Sequence, residues 1–192
     1  MPAVLPLMAV VALFILSGRD GPVLFRQTRV GRGRKPFTIF KFRSMRHRDP
    51  ARIDQVRERV VSKSGDDRIT PVGRVLRKTS LDELPQLFNV LNGTMSFVGP
   101  RPIIPDQLAA IPADRMDRFR VRPGITGWAQ VNGRRDLDWP RQLELDSWYA
   151  NHAGVALDIL ILLRTVGVVL RASGTYGGAG SNWRSYLPPA LK

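Results

Sequence analysis

Two adjacent carboxylates, Asp82 and Glu83, stand in the stretch Arg77 to Pro102, RKTSLDELPQLFNVLNGTMSFVGPRP, between Arg77 and Arg101. An ionised carboxylate among arginines suits two tasks, holding a hard cation through oxygen or attacking phosphorus as a nucleophile. Oxygen ligands with a phosphate substrate would point to magnesium. Asp-Glu pairs are common, however, and Ser80-Leu-Asp-Glu83 is also a capping box, with Ser80 capping a helix and Glu83 reaching back. Pro85 suits a later start, with Asp82 as the cap. In either register Asp82 is expected at a helix N-terminus, where partial positive charge favours a carboxylate and a bound phosphate. Leu84, Leu87, Phe88 and Leu91 would form the buried stripe of that helix. Gly99-Pro-Arg-Pro102 reads as a rigid turn that presents the Arg101 guanidinium to phosphate.

Composition removes other chemistries. The 192 residues contain no cysteine and two histidines, which excludes disulfides, thiolate catalysis and Cys-ligated metal and leaves little scope for a His-dependent site. Thirty Lys and Arg against sixteen Asp and Glu leave a net charge of +14. Such a field requires an anionic counterpart: nucleic acid, phospholipid headgroups or a phosphate-rich substrate. A 43% hydrophobic content is that of one folded domain.

The surrounding elements follow from periodicity. Ala3 to Leu16 is almost wholly apolar, shorter than the roughly 20 residues a spanning helix needs, and interrupted by Pro6. It passes directly into basic sequence: from Gly18 to Arg48 ten residues are Lys or Arg, and Asp20 is the single acid. An apolar wedge followed by cations suits shallow insertion into an anionic leaflet, with a buried core helix as the alternative. The apolar run opens at Met1, so the natural segment is expected to extend upstream. Val23 to Gln27 and Phe37 to Phe42 read as an antiparallel hairpin around a glycine-punctuated turn. Lys41 and Arg43 alternate with Phe40 and Phe42, which would place both cations on one face as phosphate ligands. Asp49 to Asp67 permits a short amphipathic helix and then a loop.

Beyond the turn, Asp106 to Arg118 suggests a surface helix. Val121 to Arg134, VRPGITGWAQVNGR, reads as an ordered loop, with Arg134 its candidate ligand for a nucleotide. Trp128 and Trp139 are assigned to core packing, with stacking on a base or an interfacial seat as the alternatives. Trp139 to Tyr149 is helical, and Leu157 to Leu170 suits a helix against the core or flat in a membrane interface. Ser173 to Lys192, rich in Gly, Ser and Pro, is expected to be a flexible tail.

The ordered blocks GPVLFRQTRVG, FTIFKFRSM, SLDELPQLFNVLNGTMSFVGPRP, VRPGITGWAQVNGR and ELDSWY together resemble the monotopic polyprenyl-phosphate phosphoglycosyl transferases, the bacterial sugar transferases that initiate polysaccharide and glycoprotein glycans. The resemblance implies a compact, membrane-associated α+β domain, mostly helical, with a short β-hairpin, a re-entrant N-terminal helix bent near Pro6 and interfacial helices. It divides the chain into a membrane segment at 1–17, a catalytic domain at 18–172 and a tail at 173–192. It further implies transfer of a sugar 1-phosphate from a UDP-sugar to polyprenol phosphate, with magnesium, at the cytoplasmic face of the inner membrane. Asp82 would be the nucleophile and a magnesium ligand, Glu83 its partner, and Arg101 a diphosphate ligand; Arg77 would be a second diphosphate ligand or, equally, only compensate the Asp82 charge. Downstream glycosyltransferases and a second copy of the chain are further partners, and nucleic acid is not. Two positions depart from the family pattern: only five residues precede Pro6, and Thr94 stands where aspartate is common. Catalysis is expected to survive the second, since Thr94 lies outside the dyad. A catalytically impaired membrane-surface scaffold and a basic nucleic-acid-binding protein are the alternatives.

Overall fold

The computed structural model describes residues 4–18, 20–48, 66–133, 136–170 and 183–189. The amphipathic helix expected within 49–67 lies almost wholly outside these residues.

Helix α1 (Val4–Ser17) is continuous. Pro6 is the third of its described residues, where the missing N–H has no acceptor within the described helix to lose. Met8, Val11 and Ile15 form a stripe buried with Phe42 and Leu76, each contributing about 1.5–3 kcal/mol. No helix among the described residues is long and apolar enough to cross a membrane.

The hairpin forms as expected, with β1 (Leu24–Val30) longer than its predicted strand and antiparallel to β2 (Pro36–Phe42). A 3₁₀ turn at Arg32–Arg34 reverses the chain, with Gly33 in the left-handed region. The open edge of β1 is pinned by Val30 N–H donating to Ile103 C=O at 2.9 Å.

Helix α2 (Pro71–Thr79) is capped by Thr70, whose hydroxyl accepts the Gly73 N–H at 2.9 Å, with Pro71 in the first helical position. It ends at Ser80, a non-glycine residue in the left-handed conformation with φ 58°. The capping box read from Ser80 to Glu83 is therefore not made. Ser80 closes α2 and opens a 3₁₀ turn, Leu81–Glu83, with no side-chain cap. Helix α3 begins only after Pro85, at Gln86–Leu91. Its burial also reverses the expected stripe: Gln86 and Asn89 are buried, whereas Phe88 and Leu91 are exposed.

Strand β3 (Ser96–Val98) pairs in parallel with β4 (Gly124–Thr126). Two 3₁₀ stretches, Pro105–Ala110 and Ala113–Phe119, replace the expected surface helix and are broken apart at Pro112. They bury Ala110, Ile111 and Phe119 in the largest core cluster, with Val30, Ile103, Trp139 and Leu143. The block expected as a loop contains β4 and one helical turn, α4 (Trp128–Val131). Helix α5 (Trp139–His152) supplies Trp139 and Leu143 to the core, and the Trp139 indole donates to Ala110 C=O at 3.1 Å. Helix α6 (Val155–Leu170) follows. Within the predicted tail, residues Trp183–Tyr186 form a 3₁₀ turn, and Trp183 and Leu187 are buried in the same core cluster.

Candidate active site

The 3₁₀ turn after α2 places Asp82 and Glu83 beside the hairpin and the Pro-Arg-Pro turn. Glu83 Oε1 accepts from Lys41 Nζ at 2.8 Å and from Arg101 at 3.1 Å. Against a burial penalty that would raise it, these two cations hold the Glu83 carboxyl well below the usual carboxylate range. Burial in turn pulls Lys41 down to about 8, opposed by the Glu83 charge. This double contact explains why Glu83 does not reach back to cap a helix: two charge-assisted bonds outweigh one bond to a backbone N–H.

Asp82 differs from its neighbour. No hydrogen bond or ion pair reaches its carboxylate among the described residues. Burial and the adjacent Glu83 charge push it above the ordinary carboxylate range, while Lys41, Arg77 and Arg101 pull it back. Arg77, in the last turn of α2, thus joins Lys41 and Arg101 in the field around Asp82.

Arg43 does not join them. Side chains alternate only while the strand continues, and β2 ends at Phe42. The Arg43 guanidinium turns instead to α1, donating to Ile15 C=O at 3.2 Å near the helix C-terminus and lying 3.6 Å from Asp20. Arg134 lies outside the described residues.

The turn bearing Arg101 is fixed at each of its residues. Gly99 N–H donates to Thr126 C=O at 2.9 Å, and Pro100 C=O accepts from Gly124 N–H at 3.0 Å. Arg101 C=O accepts from Arg118 at 2.9 Å, and Pro102 C=O from Arg29 at 3.1 Å. Gly99, Gly124 and Gly127 meet backbone to backbone, so a Cβ on any of them would collide with main-chain atoms. This clasp joins the GPRP and GITG segments. Arg118 is itself buried in an ion pair with Asp146 of α5 at 2.7 Å, both side chains 1% exposed. A chain of contacts thus runs from α5 through Arg118 and the Arg101 backbone to Glu83.

Sequence reasoning missed Asn89, which is 1% exposed. Its Oδ1 accepts the Phe40 N–H at 3.0 Å, and its Nδ2 donates to Thr38 C=O at 2.7 Å. One side-chain amide thereby engages the two main-chain groups flanking Ile39, as a peptide unit of a neighbouring parallel strand would. Asn89 also donates to Thr94 Oγ1 at 3.2 Å, so Thr94 belongs to this clamp. The clamp ties α3, just after the dyad, to the strand that carries Lys41. A polar residue between apolar neighbours in LFNVL was its only sequence signal. Arg29, Arg118 and Asp146 were missed as well, because their partners are remote in sequence.

No group of three or more acidic or histidine side chains suited to a metal occurs among the described residues. Magnesium, however, is commonly held by one or two carboxylates, water and substrate phosphates. Asp82, with unengaged oxygens, fits such a site, whereas Glu83 Oε1 is already shared by two cations.

Comparison with known proteins gives this arrangement a family. The model described as bacterial sugar transferase matches residues 1–172. The uncharacterized sugar transferase EpsL of Bacillus subtilis is 44% identical over 153 residues, covering 80% of this chain and 72% of that protein. The undecaprenyl-phosphate galactose phosphotransferase of Salmonella typhimurium is 46% identical over 171 residues, 82% of this chain and 36% of that protein. The UDP-glucose:undecaprenyl-phosphate glucose-1-phosphate transferase of Escherichia coli is 42% identical over 171 residues, 84% and 35% of the two chains. The chain therefore spans little more than a third of the latter two relatives. With matches across nearly its whole length, the chain belongs to the bacterial sugar transferase family.

Proposed function

We propose that the chain transfers a sugar 1-phosphate from a UDP-sugar to polyprenol phosphate, specifically undecaprenyl phosphate, and so initiates a polysaccharide or glycoconjugate. The asymmetry of the dyad carries this reading. Glu83 is held by two cations, while Asp82 keeps an unengaged carboxylate in the field of three. An ionised carboxylate of raised basicity in that setting is suited to attack on phosphorus.

In the first step, an Asp82 oxygen attacks the phosphorus that bears the sugar. The bond to the bridging oxygen breaks, UMP leaves with that oxygen, and the sugar phosphate stays on Asp82 as an acyl phosphate. In the second step, a phosphate oxygen of polyprenol phosphate attacks the same phosphorus. The acyl-phosphate bond breaks, the Asp82 carboxylate returns, and the product is a polyprenyl diphosphate sugar. Lys41, Arg77 and Arg101 supply positive charge where the phosphoryl oxygens gather it, and the four-point tether of the GPRP turn holds Arg101 in place with little reorganisation. Bound magnesium, held by Asp82 and the substrate phosphates, would add charge neutralisation of the diphosphate. The site belongs where a soluble donor meets a lipid acceptor, the cytoplasmic face of a bacterial inner membrane, with α1 seated in the anionic leaflet.

The test incubates membranes carrying the chain with UDP-sugars radiolabelled in the sugar, first without and then with polyprenol phosphate. Label is expected on the denatured chain in the first incubation and in lipid in the second, and in neither with Asp82→Asn. Equal lipid product from both proteins would sink the nucleophile assignment. No product from either, with an upstream-extended chain also tested, would favour the scaffold reading.

A further inference from the structure

Phe25 and Gln27 of β1 share the face of the hairpin that carries Lys41, yet neither has a part in the steps above. Residues paired across an antiparallel hairpin project from the same side. Phe25 is paired with Lys41, Gln27 with Ile39 and Arg29 with Phe37. Arg26 projects from the opposite side, where its guanidinium lies over the Phe40 ring, 5.8 Å from the centroid. Arg29 ties the row to the site: it donates to Pro102 C=O at 3.1 Å, next to Arg101, and its charge helps to depress Lys41. A ring of contacts results. Lys41 and Arg101 both bind Glu83, and Arg29 joins the Arg101 turn back to the hairpin.

Gln27 is attached to that ring through Arg29, which donates to its Oε1 at 2.5 Å. A guanidinium offers no acceptor, so this bond fixes which end of the amide faces Arg29 and leaves Nε2 as a pure donor. Nε2 meets no acceptor among the described residues. Unlike the amide nitrogens of Gln86 and Gln130, it is not sealed from solvent. Phe25 stands beside it, 36% exposed and about 5 Å across the hairpin from Lys41. An open aromatic face next to a neutral donor suits a ring with oxygen at its rim, whereas phosphate is already served by the cations. The donor nucleotide offers two such rings, the sugar and the base. The sugar is joined through one oxygen to the phosphorus that Asp82 attacks, while a second phosphate and a ribose separate that phosphorus from the base. A row one strand away from Lys41 is placed for the first.

We infer that Phe25 and Gln27 form the subsite for the transferred sugar. The Phe25 ring lies against its C–H face, and the Gln27 amide nitrogen donates to one of its hydroxyl or acetamido oxygens. That assignment rests on the transferase reading of the site and adds to it the side chains that choose among donors.

Membranes carrying the full chain are assayed with UDP-glucose, UDP-galactose and their N-acetylhexosamine counterparts, each labelled in the phosphate next to the sugar. Monodeoxy analogues of the best donor follow. In the parent one analogue should lose about fivefold in kcat/KM, the worth of one neutral hydrogen bond. In Gln27→Leu the intact donor should fall by that factor, and the same analogue should fall no further. Gln27→Glu keeps the acceptor that Arg29 needs but removes the donor, so it should lose as much as Gln27→Leu. Phe25→Ala should lower kcat/KM for every sugar, and Phe25→Tyr should restore it. Inhibition by UMP, which lacks the sugar, should be unchanged in Gln27→Leu and Phe25→Ala. Full activity of Gln27→Glu beside a weakened Gln27→Leu would make Gln27 a prop for Arg29 and overturn the inference. So would equal losses on the intact donor and every analogue, or UMP inhibition weakened in step with the donor, which would mark the base instead. In each of these cases the parent still forms lipid product, so the transferase reading stands. A parent that yields no lipid product from any donor overturns both.

Discussion

Replacing Glu83 by glutamine and Asp82 by asparagine should separate stability from chemistry within two adjacent residues. Glu83→Gln preserves shape but removes the charge that Lys41 and Arg101 share at 2.8 and 3.1 Å. Each bond falls from the charge-assisted class to the neutral one, a loss of about 1 kcal/mol apiece. The side chains of Lys41 and Glu83 are 15% and 18% exposed, so solvent screens their pair only weakly; that of Arg101, at 33%, is discounted somewhat more. The sum is about 2 kcal/mol, or a fall of about 4–8 °C in Tm for a chain of this size. Because the folded pKa of Glu83 is depressed, its contribution is complete at neutral pH and is lost only as pH falls through that depressed value. Thermal melts near neutrality therefore capture the whole effect. Asp82 behaves oppositely: its pKa is raised, so its charge opposes folding above the ordinary carboxylate range, and Asp82→Asn should leave Tm unchanged or slightly higher. In the transfer assay Asp82→Asn should be inactive at every pH. Glu83→Gln should keep residual activity with an altered pH profile. Burial pulls Lys41 down to about 8 and the Glu83 charge is the main influence opposing that fall, so the alkaline limb should move below 8 in the variant. A Glu83→Gln protein that melts within a degree of the parent and keeps its alkaline limb would refute the division of roles.

Other outcomes follow from the same contacts. Asn89→Ala should cost about 2–4 kcal/mol in urea denaturation, since the Phe40 N–H and Thr38 C=O lose their partner. Asp146→Ala should cost about 3–5 kcal/mol by leaving Arg118 buried and unpaired, and Arg118→Met with Asp146→Leu should recover most of that stability while lowering kcat through the loosened Arg101 turn. In the parent enzyme activity should fall on the acid side through a pKa above the ordinary carboxylate range, as Asp82 gains its proton, and on the alkaline side near 8, as Lys41 loses one.

What the sequence made legible was local. The hairpin, α5, α6 and the Gly-Pro-Arg-Pro turn are specified by residues close together in the chain, and so is the juxtaposition of Asp82 and Glu83. The capping box failed because the rule weighs only neighbours, whereas Glu83 is claimed by Lys41 and Arg101, 42 and 18 residues away. Arg43 was misplaced because alternation was extended one residue past the end of β2. Periodicity in α3 and α6 correctly identified an apolar side but could not say what that side meets: Phe88 and Leu91 face outward, as Leu163 and Val166 do. The pair Arg118–Asp146 and the clamp of Asn89 were invisible because each joins residues distant in sequence.

The Asn89 clamp has a consequence outside catalysis. A two-stranded sheet has two open edges, each able to template pairing with another chain. Here β1 is closed at Val30 by Ile103, and β2 is closed opposite Ile39 by a single amide. Asn89 is therefore also a guard against strand addition. Its loss would expose a flat edge carrying Phe37, Ile39 and Phe40, so variants at this position should be recovered as aggregates more often than their loss of folding energy alone accounts for.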